Sequence, residues 1–178
     1  KYRPWTGRYG LIYSVYRDIN LYVSKSSAVQ PVNPLVNLAG NQTLFSLQPT
    51  RSWETGVKAS TLRGHIDGSF AYFSMGKSNI LTQNIVEGVR LQQQIGKQLA
   101  NGVELSIAGR PHRMLNIMAD YSYTSAEYGE FNENLGTAIV SRTGNKVPQV
   151  PQVIWNLTPT FRIGRFFLSS TVRYVGGR

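Results

Sequence analysis

The sequence predicts an all-β protein, an antiparallel up-and-down segment of a transmembrane β-barrel with about eight strands in four hairpins. Three observations carry that expectation. Apolar and polar residues alternate one for one along several stretches, the period at which a strand turns successive side chains to opposite faces. The alternation persists for roughly nine or ten residues in the longest arms, as a tilted membrane-crossing strand requires, whereas a strand of a soluble sandwich runs about five or six. Finally, the connections are alternately short and long, the asymmetry of a barrel with tight turns on one side of the membrane and loops on the other.

In chain order, Arg8 to Tyr16 reads as a first strand with Tyr9, Leu11, Tyr13 and Val15 on one face, and Arg17 to Asn20 as a turn before a return that begins at Leu21 to Ser24. Pro31, Pro34, Gly40-Asn41 and Pro49 then punctuate a long loop from Ala28 to Thr50. Trp53, Thr55, Val57 and Ala59 alternate with Glu54, Gly56, Lys58 and Ser60, and Arg63-Gly64 turns the chain into a strand from His65 to Met75. Phe73 breaks the alternation of that strand, which predicts a bulge or an inward-facing aromatic. A shorter second loop is expected around Asn84 to Gly88.

The clearest hairpin lies between Gly96 and Tyr128. Val103, Leu105 and Ile107 alternate with Glu104, Ser106 and Ala108; Gly109 to Arg113 supply a turn; Leu115, Ile117, Ala119, Tyr121 and Tyr123 alternate with Asn116, Met118, Asp120 and Ser122. A polar third loop runs from Gly129 to Lys146. Val153 to Arg162 follows as a strand interrupted by Pro159, which lacks an N–H and so predicts a bulge or a lost ladder bond. Gly164-Arg165 turns the chain, and Phe166 to Tyr174 closes the set. Tyr16, Trp53, Tyr123, Trp155 and Tyr174 stand near strand ends, where barrels place their aromatic girdles.

Composition agrees. Among 178 residues, 41% are hydrophobic, with 17 Gly, 10 Tyr and 7 Phe, a balance that favours strands over helices. No apolar run approaches the roughly 18 residues of a membrane-spanning helix, which leaves a barrel open because a barrel places apolar residues one in two. The absence of cysteine excludes disulfides and thiolate metal sites. The net charge of +10 comes from basic residues spaced singly along strands and turns, so it reads as a solvated or lumen-facing charge that would attract an anionic ligand, with no nucleic-acid partner implied. His65 and His112 fall beside turns with no nucleophile or paired carboxylates around them, and no metal-ligand cluster is present, so neither an enzyme nor a metal site of the protein's own is expected.

Several segments carry a resemblance. Pro49 followed by Glu54-Thr55-Gly56-Val57-Lys58, the strand Ala71-Tyr72-Phe73 through Thr82, the G-V-E-L strand at Gly102 with its G-R-P turn, Tyr121-Ser122-Tyr123 leading to Ala126, Gly144-Asn145-Lys146-Val147-Pro148 with Pro151, and Arg173-Tyr174-Val175-Gly176 are similar to the late barrel of TonB-dependent outer-membrane receptors, in particular the siderophore-receptor branch. The resemblance spans nearly the whole chain. It implies one partial barrel domain over residues 1–178, an interior-to-late slice of a barrel of about 22 strands, located in the bacterial outer membrane. The plug domain and the TonB-contacting segment of such receptors are not matched in these residues, and no signal-peptide core is seen at Lys1-Tyr2-Arg3-Pro4-Trp5. The implied partners are a ferric siderophore, outer-membrane lipid, and TonB through another part of the receptor. Iron is expected only as chelated cargo, with no cofactor.

If the long loops face outward, the short turns lie on the periplasmic side, and the residues left to meet a ligand are Phe45 in the first loop, Arg90 and Gln92 after the second, and Tyr128, Phe131 and Arg142 around the third. Aromatic faces and arginine donors suit an aromatic, often anionic chelate. Three alternatives stay open: a small eight-stranded barrel that closes on itself, a receptor of the same family for another cargo such as cobalamin or a saccharide, and a soluble β-sandwich binding module.

Overall fold

The computed structural model describes residues 3–31, 46–61, 65–86, 89–135 and 138–177. The strands are β1 (Gly7–Tyr16), β2 (Ile19–Gln30), β3 (Gln48–Thr61), β4 (Ile66–Val86), β5 (Val89–His112), β6 (Leu115–Glu130), β7 (Asn132–Asn134), β8 (Ile139–Ser141), β9 (Val153–Ile163), β10 (Phe166–Ser169) and β11 (Val172–Val175). All but β7 and β8 form one nine-stranded sheet in sequence order, with β10 and β11 both paired to β9. Every pairing is antiparallel. The first strand pairs only with β2, so the sheet is an open arc: the self-closing small barrel is contradicted. A sandwich is contradicted too, because the second sheet consists of β7 and β8 alone.

Because paired residues share a face, the register can be read across the sheet. Tyr13, Leu21, Val57, Phe70, Leu105, Tyr121, Trp155 and Tyr174 form one continuous row. On the opposite face Ser14, Asn20, Lys58, Ser69, Ser106, Asp120, Asn156 and Arg173 form another. The exposure pattern is the reverse of a soluble sheet. Phe70 and Tyr72 are 47% and 37% exposed, while Ala71 between them on the polar face is 6% exposed and is the buried hydrophobic residue among those described. Along β2 the apolar Leu21 and Val23 are exposed and the polar-face Asn20, Tyr22 and Ser24 half-buried. The polar side is therefore concave and crowded, and the apolar side convex and bare. That arrangement suits surroundings that accept apolar surface.

Two glycines let the concave face close up. A side chain at Gly56 would meet the Tyr22 ring at 2.8 Å, and one at Gly102 would meet the Phe73 ring at 2.5 Å. Each aromatic covers the gap a neighbouring glycine leaves, a pairing that pins register in barrels. Phe73 is thus the inward aromatic expected of it; the alternative of a bulge is not realised, since Trp53, Glu54 and Thr55 pair with Ser74, Phe73 and Tyr72 without a shift. Pro159 keeps its register with Ile117. Its missing N–H is felt on the other side, where the edge strand breaks between Ser169 and Val172 and Ser170 N donates to the Pro159 carbonyl at 3.3 Å. No bulge forms there either: Ser169 pairs with Thr160 and Val172 with Leu157, and Thr158 and Thr171 hydroxyls bridge the gap at 3.0 Å.

Other boundaries differ from the sequence reading. The arms are longer than nine or ten residues: β4 has 21 and β5 has 24. At roughly 3.4 Å per residue, β5 is about 80 Å long, more than twice what a bilayer core requires, so its first half and the end of β4 stand beyond the apolar band as a two-stranded ribbon. Asn84, Ile85 and Val86 are ladder-paired with Leu91, Arg90 and Val89, so the expected second loop is strand up to the residues at its tip. The first long loop is also shorter, because Val29 and Gln30 pair with Pro49 and Gln48. The turn expected at Gly109 to Arg113 forms later, at Arg113-Met114, because β5 continues through His112 after an irregularity between Gly109 and His112. Likewise Ile19 and Asn20 belong to β2, and the first turn is Arg17-Asp18. The expected Arg63-Gly64 turn lies outside the described residues.

Among the described residues, the turns after β1, β5 and β9 and the start of β4 share one rim. Ser60 N donates to Asp18 O at 2.8 Å, Arg110 N to His65 O at 2.7 Å, and Arg162 N to Met114 O at 2.8 Å, so each hairpin is tied to the next. The opposite rim carries the β4–β5 ribbon and the third loop, as the alternation of short and long connections requires.

Candidate functional site at the ribbon end

The third loop is a built structure. Strands β7 and β8 pair Asn132 with Ser141 and Asn134 with Ile139, and β7 lies against β4. The loop then returns to β6: Tyr128 N donates to Asn145 O at 2.9 Å, Gly144 N to Tyr128 O at 2.7 Å, and Glu127 bridges to Lys146. Gly144 sits at φ +82°, a conformation that costs glycine little and other residues more, which explains the glycine in this corner.

This fold-back brings three of the expected site residues together. Tyr128 and Phe131 stack with ring centroids 4.4 Å apart and planes 22° apart. Arg142 N donates to Phe131 O at 2.8 Å, and Arg142 Nε donates to Glu133 Oε2 at 2.7 Å. That ion pair is half-exposed, so it contributes only a fraction of a kcal/mol to about 1 kcal/mol; it mainly orients the guanidinium, whose η nitrogens keep further donors. Arg90 and Gln92 are not loop residues but ladder positions of β5, paired with Ile85 and Gln83. Phe45 lies outside the described residues.

The register adds a residue that the one-dimensional reading missed. Thr50 pairs with Lys77, Lys77 with Gln98, and Gln98 with Tyr128, so all four point to the concave face at one level. At about 4.8 Å between strands, Lys77 stands roughly 10 Å from the stacked aromatics, near enough to meet the same ligand. In the sequence it looked like one more solvated lysine; its partner two strands away is visible only in the pairing. Nearby, the Gln94 amide acts as an extra ladder rung. Ser46 N donates to Gln94 Oε1 at 2.6 Å, and Gln94 Nε2 donates to Ser46 O at 2.7 Å and to Asn79 O at 3.1 Å. Asn79, at φ 58° where the β4–β5 register slips, donates to Leu47 O at 3.1 Å. The base of the first long loop is thereby fastened to the ribbon.

Deeper on the concave face, a groove of about 370 Å³ is lined by Tyr22, Glu54, Lys58, Glu104, Asp120 and Asn156 among others. Tyr22 Oη donates to Glu54 Oε1 at 2.5 Å, Lys58 lies 5.1 Å from the Tyr22 ring centroid, and Ser106 Oγ donates to Asp120 Oδ1 at 2.8 Å. Neighbouring polar groups satisfy one another along this wall, which suits a hydrated lumen. No group of three or more potential metal ligands occurs among the described residues.

The whole chain, residues 1–178, matches a family model described as TonB dependent receptor-like, beta-barrel. The chain belongs to the TonB-dependent receptor β-barrel family. Relatives include the metal-pseudopaline receptor CntO of Pseudomonas aeruginosa, 26% identical over 99% of this chain and 24% of its own length. The ferrichrome outer membrane transporter/phage receptor of Escherichia coli K12 is 27% identical over 99% of this chain and 22% of its own length. The chain thus spans about a quarter of the length of these curated relatives. Among solved structures, the ferric-catecholate import receptor Fiu of Escherichia coli superposes with a TM-score of 0.78 at 20% identity, over 96% of this chain and 24% of that one. The ferric yersiniabactin uptake receptor FyuA of Yersinia pestis gives 0.71 at 20% identity, over 96% of this chain and 26% of that one. These superpositions confirm the expected all-β barrel wall. Family and neighbours are receptors for uptake, in keeping with the absence of a catalytic motif in the sequence.

Proposed function

We propose that this chain forms part of the barrel wall and outer loops of a bacterial outer-membrane receptor that imports ferric siderophores with energy delivered through TonB. Residues 1–178 act as one partial barrel domain. The observation that carries the reading is the cluster at the ribbon end, where Tyr128 stacked on Phe131, Arg142 beside it and Lys77 across the concave face offer aromatic surface and cationic donors together. A ferric chelate with aromatic or carbonyl-rich arms and net negative charge matches both features. The names of the relatives, receptors for metal-pseudopaline and ferrichrome, and of a structural neighbour bound to ferripyoverdine, point the same way. TonB would engage the plug segment that the family places ahead of the barrel, and the iron travels as cargo already chelated.

The test is equilibrium binding of ferric catecholate and hydroxamate chelates to the full-length receptor, read by tryptophan quenching. Arg142→Ala and Phe131→Ala should each weaken binding about ten-fold, the worth of one charged hydrogen bond or one aromatic contact. Arg113→Ala, on the opposite rim, should leave affinity unchanged. Loss with Arg113→Ala and none with the other two would invert the assigned orientation. Binding of cobalamin or a saccharide in place of every ferric chelate would overturn the siderophore reading while leaving the family intact.

A further inference from the structure

The convex face ends in a feature that ligand uptake does not use. Going toward the ribbon end, the row Leu11, Val23, Thr55, Tyr72, Val103, Tyr123 is followed by Tyr9, Lys25, Trp53, Ser74, Asn101, Ser125, and then by Gly7, Ser27, Arg51, Gly76, Leu99, Glu127. Apolar surface gives way to polar surface within two rungs. At that boundary Lys25 and Arg51, both exposed, are diagonal neighbours on adjacent strands, a relation that sets their β-carbons about 7 Å apart. Trp53, 43% exposed and tilted against Tyr72 with centroids 5.3 Å apart, lies beside both. Together with Ser74, Gly76 and Leu99 these residues line an outward-facing groove of about 470 Å³.

Two facts separate this groove from an ordinary solvated pair of charges. Among the described residues the ion pairs are Lys97–Glu130 and Arg142–Glu133, so Lys25 and Arg51 face outward with no carboxylate beside them. The acid in the same row, Glu127, lies three strands from Arg51. The floor is also open by composition. A side chain at Gly76 would meet nothing closer than Leu99 Cδ2 at 3.5 Å, so the strand tolerates one there, yet the sequence leaves the space empty.

We propose that Lys25 and Arg51, above Trp53 and over Gly76, form a site for the phosphate of a membrane lipid headgroup in the leaflet next to the long loops. A guanidinium binds phosphate through two parallel N–H donors and an ammonium adds a point charge, while an indole at the headgroup level sets the depth of the lipid. Lipid chains would run down the convex face past Val23, Thr55 and Tyr72. This site is separate from the ligand cluster on the concave face; it rests only on the convex face meeting lipid.

Native mass spectrometry of the full-length receptor in detergent, titrated with phosphatidic acid or with diacylglycerol of the same chains, tests it. Phosphatidic acid should be retained at least ten-fold more tightly than diacylglycerol, and the double variant Lys25→Gln/Arg51→Gln should lose about ten- to a hundred-fold of that affinity. Gly76→Phe, which fills the groove and removes no charge, should displace the lipid as well, while Lys25→Arg should retain it. Arg17→Ala at the opposite rim serves as the control and should change nothing. Equal retention of the two lipids, unaltered binding in the double variant or in Gly76→Phe, or inorganic phosphate binding as tightly as phosphatidic acid would each overturn the assignment. Ferric-chelate affinity of Lys25→Gln/Arg51→Gln should match the parent, so failure here is distinguishable from failure of the uptake reading.

Discussion

Leu105 offers the most direct test of which face meets lipid. It stands on the convex face in the row of Val57, Phe70, Tyr121 and Trp155, with Val103 and Ile107 above and below it on the same strand. The apolar stretch of β5 on this face runs from Val103 to Gly109, beyond which come Asn101 on one side and the turn on the other. Position 105 is therefore near mid-band, and an arginine there must reach about four residues, roughly 14 Å along the strand, to leave it. A barrel charges about 2 to 4 kcal/mol for arginine at the midplane, falling toward zero at the interfaces. Leu105→Arg should therefore destabilise the full-length receptor by about 2 to 3 kcal/mol, some thirty- to over a hundred-fold in the folding equilibrium. Ser106→Arg, one residue on, faces the concave wall where Asp120 accepts from Ser106 at 2.8 Å. A carboxylate already waits there, so that substitution should cost under about 1 kcal/mol. Urea titration of the receptor in lipid vesicles, followed by tryptophan fluorescence, measures both. If Ser106→Arg costs as much as Leu105→Arg or more, the assignment of the faces is wrong.

The remaining expectations follow from the same geometry. Single cysteines at Val57, Leu105, Ile117, Leu157 and Val172 should label with a lipid-soluble reagent, and those at Lys58, Glu104, Asn116, Asn156 and Arg173 with a water-soluble one; equal labelling of both sets would remove the barrel reading. Gly102→Leu would press a side chain against the Tyr123 carbonyl and the Phe73 ring, so it should lower stability by about 1 to 3 kcal/mol, whereas Gly177→Leu, with nothing within 4 Å, should not. Gln94→Ala removes both rungs to Ser46; hydrogen exchange at the Ser46 amide should quicken about ten-fold, and an unchanged rate would mean that the clasp does not hold the loop.

Much of this was legible in the residues, and the reason is the period. One-for-one alternation specifies a strand and sorts its two faces, so Leu105, Val57 and Leu157 could be set against Glu104, Lys58 and Asn156 before any pairing was known. Pro159 announced a lost bond because its chemistry is local, and Phe73 an inward aromatic because it broke the alternation. Boundaries were less legible. Around the ribbon tip, apolar Ile85, Val86, Val89 and Leu91 are paired with one another or with polar Arg90 and Asn84, so apolar and polar residues are mixed on both faces, no sorted face is legible, and paired strand ends read as a loop. The site divided in the same way. Tyr128, Phe131 and Arg142 could be named from their types and their place near a long connection, but that Tyr128 stacks on Phe131 depends on how the third loop folds back through β7, β8 and Gly144. Lys77 could not be found at all, because its nearness to Tyr128 passes through Gln98 on a third strand, and register between strands distant in sequence is a property of the assembled sheet. What the sequence alone determined is the periodicity, the turn chemistry and the sorting of faces, each set by covalent geometry within a few residues. The tertiary structure decided the open arc, the length of the ribbon, the level at which cations and aromatics meet, and the outward pair of Lys25 and Arg51, since all of these rest on hydrogen bonds between residues tens of positions apart.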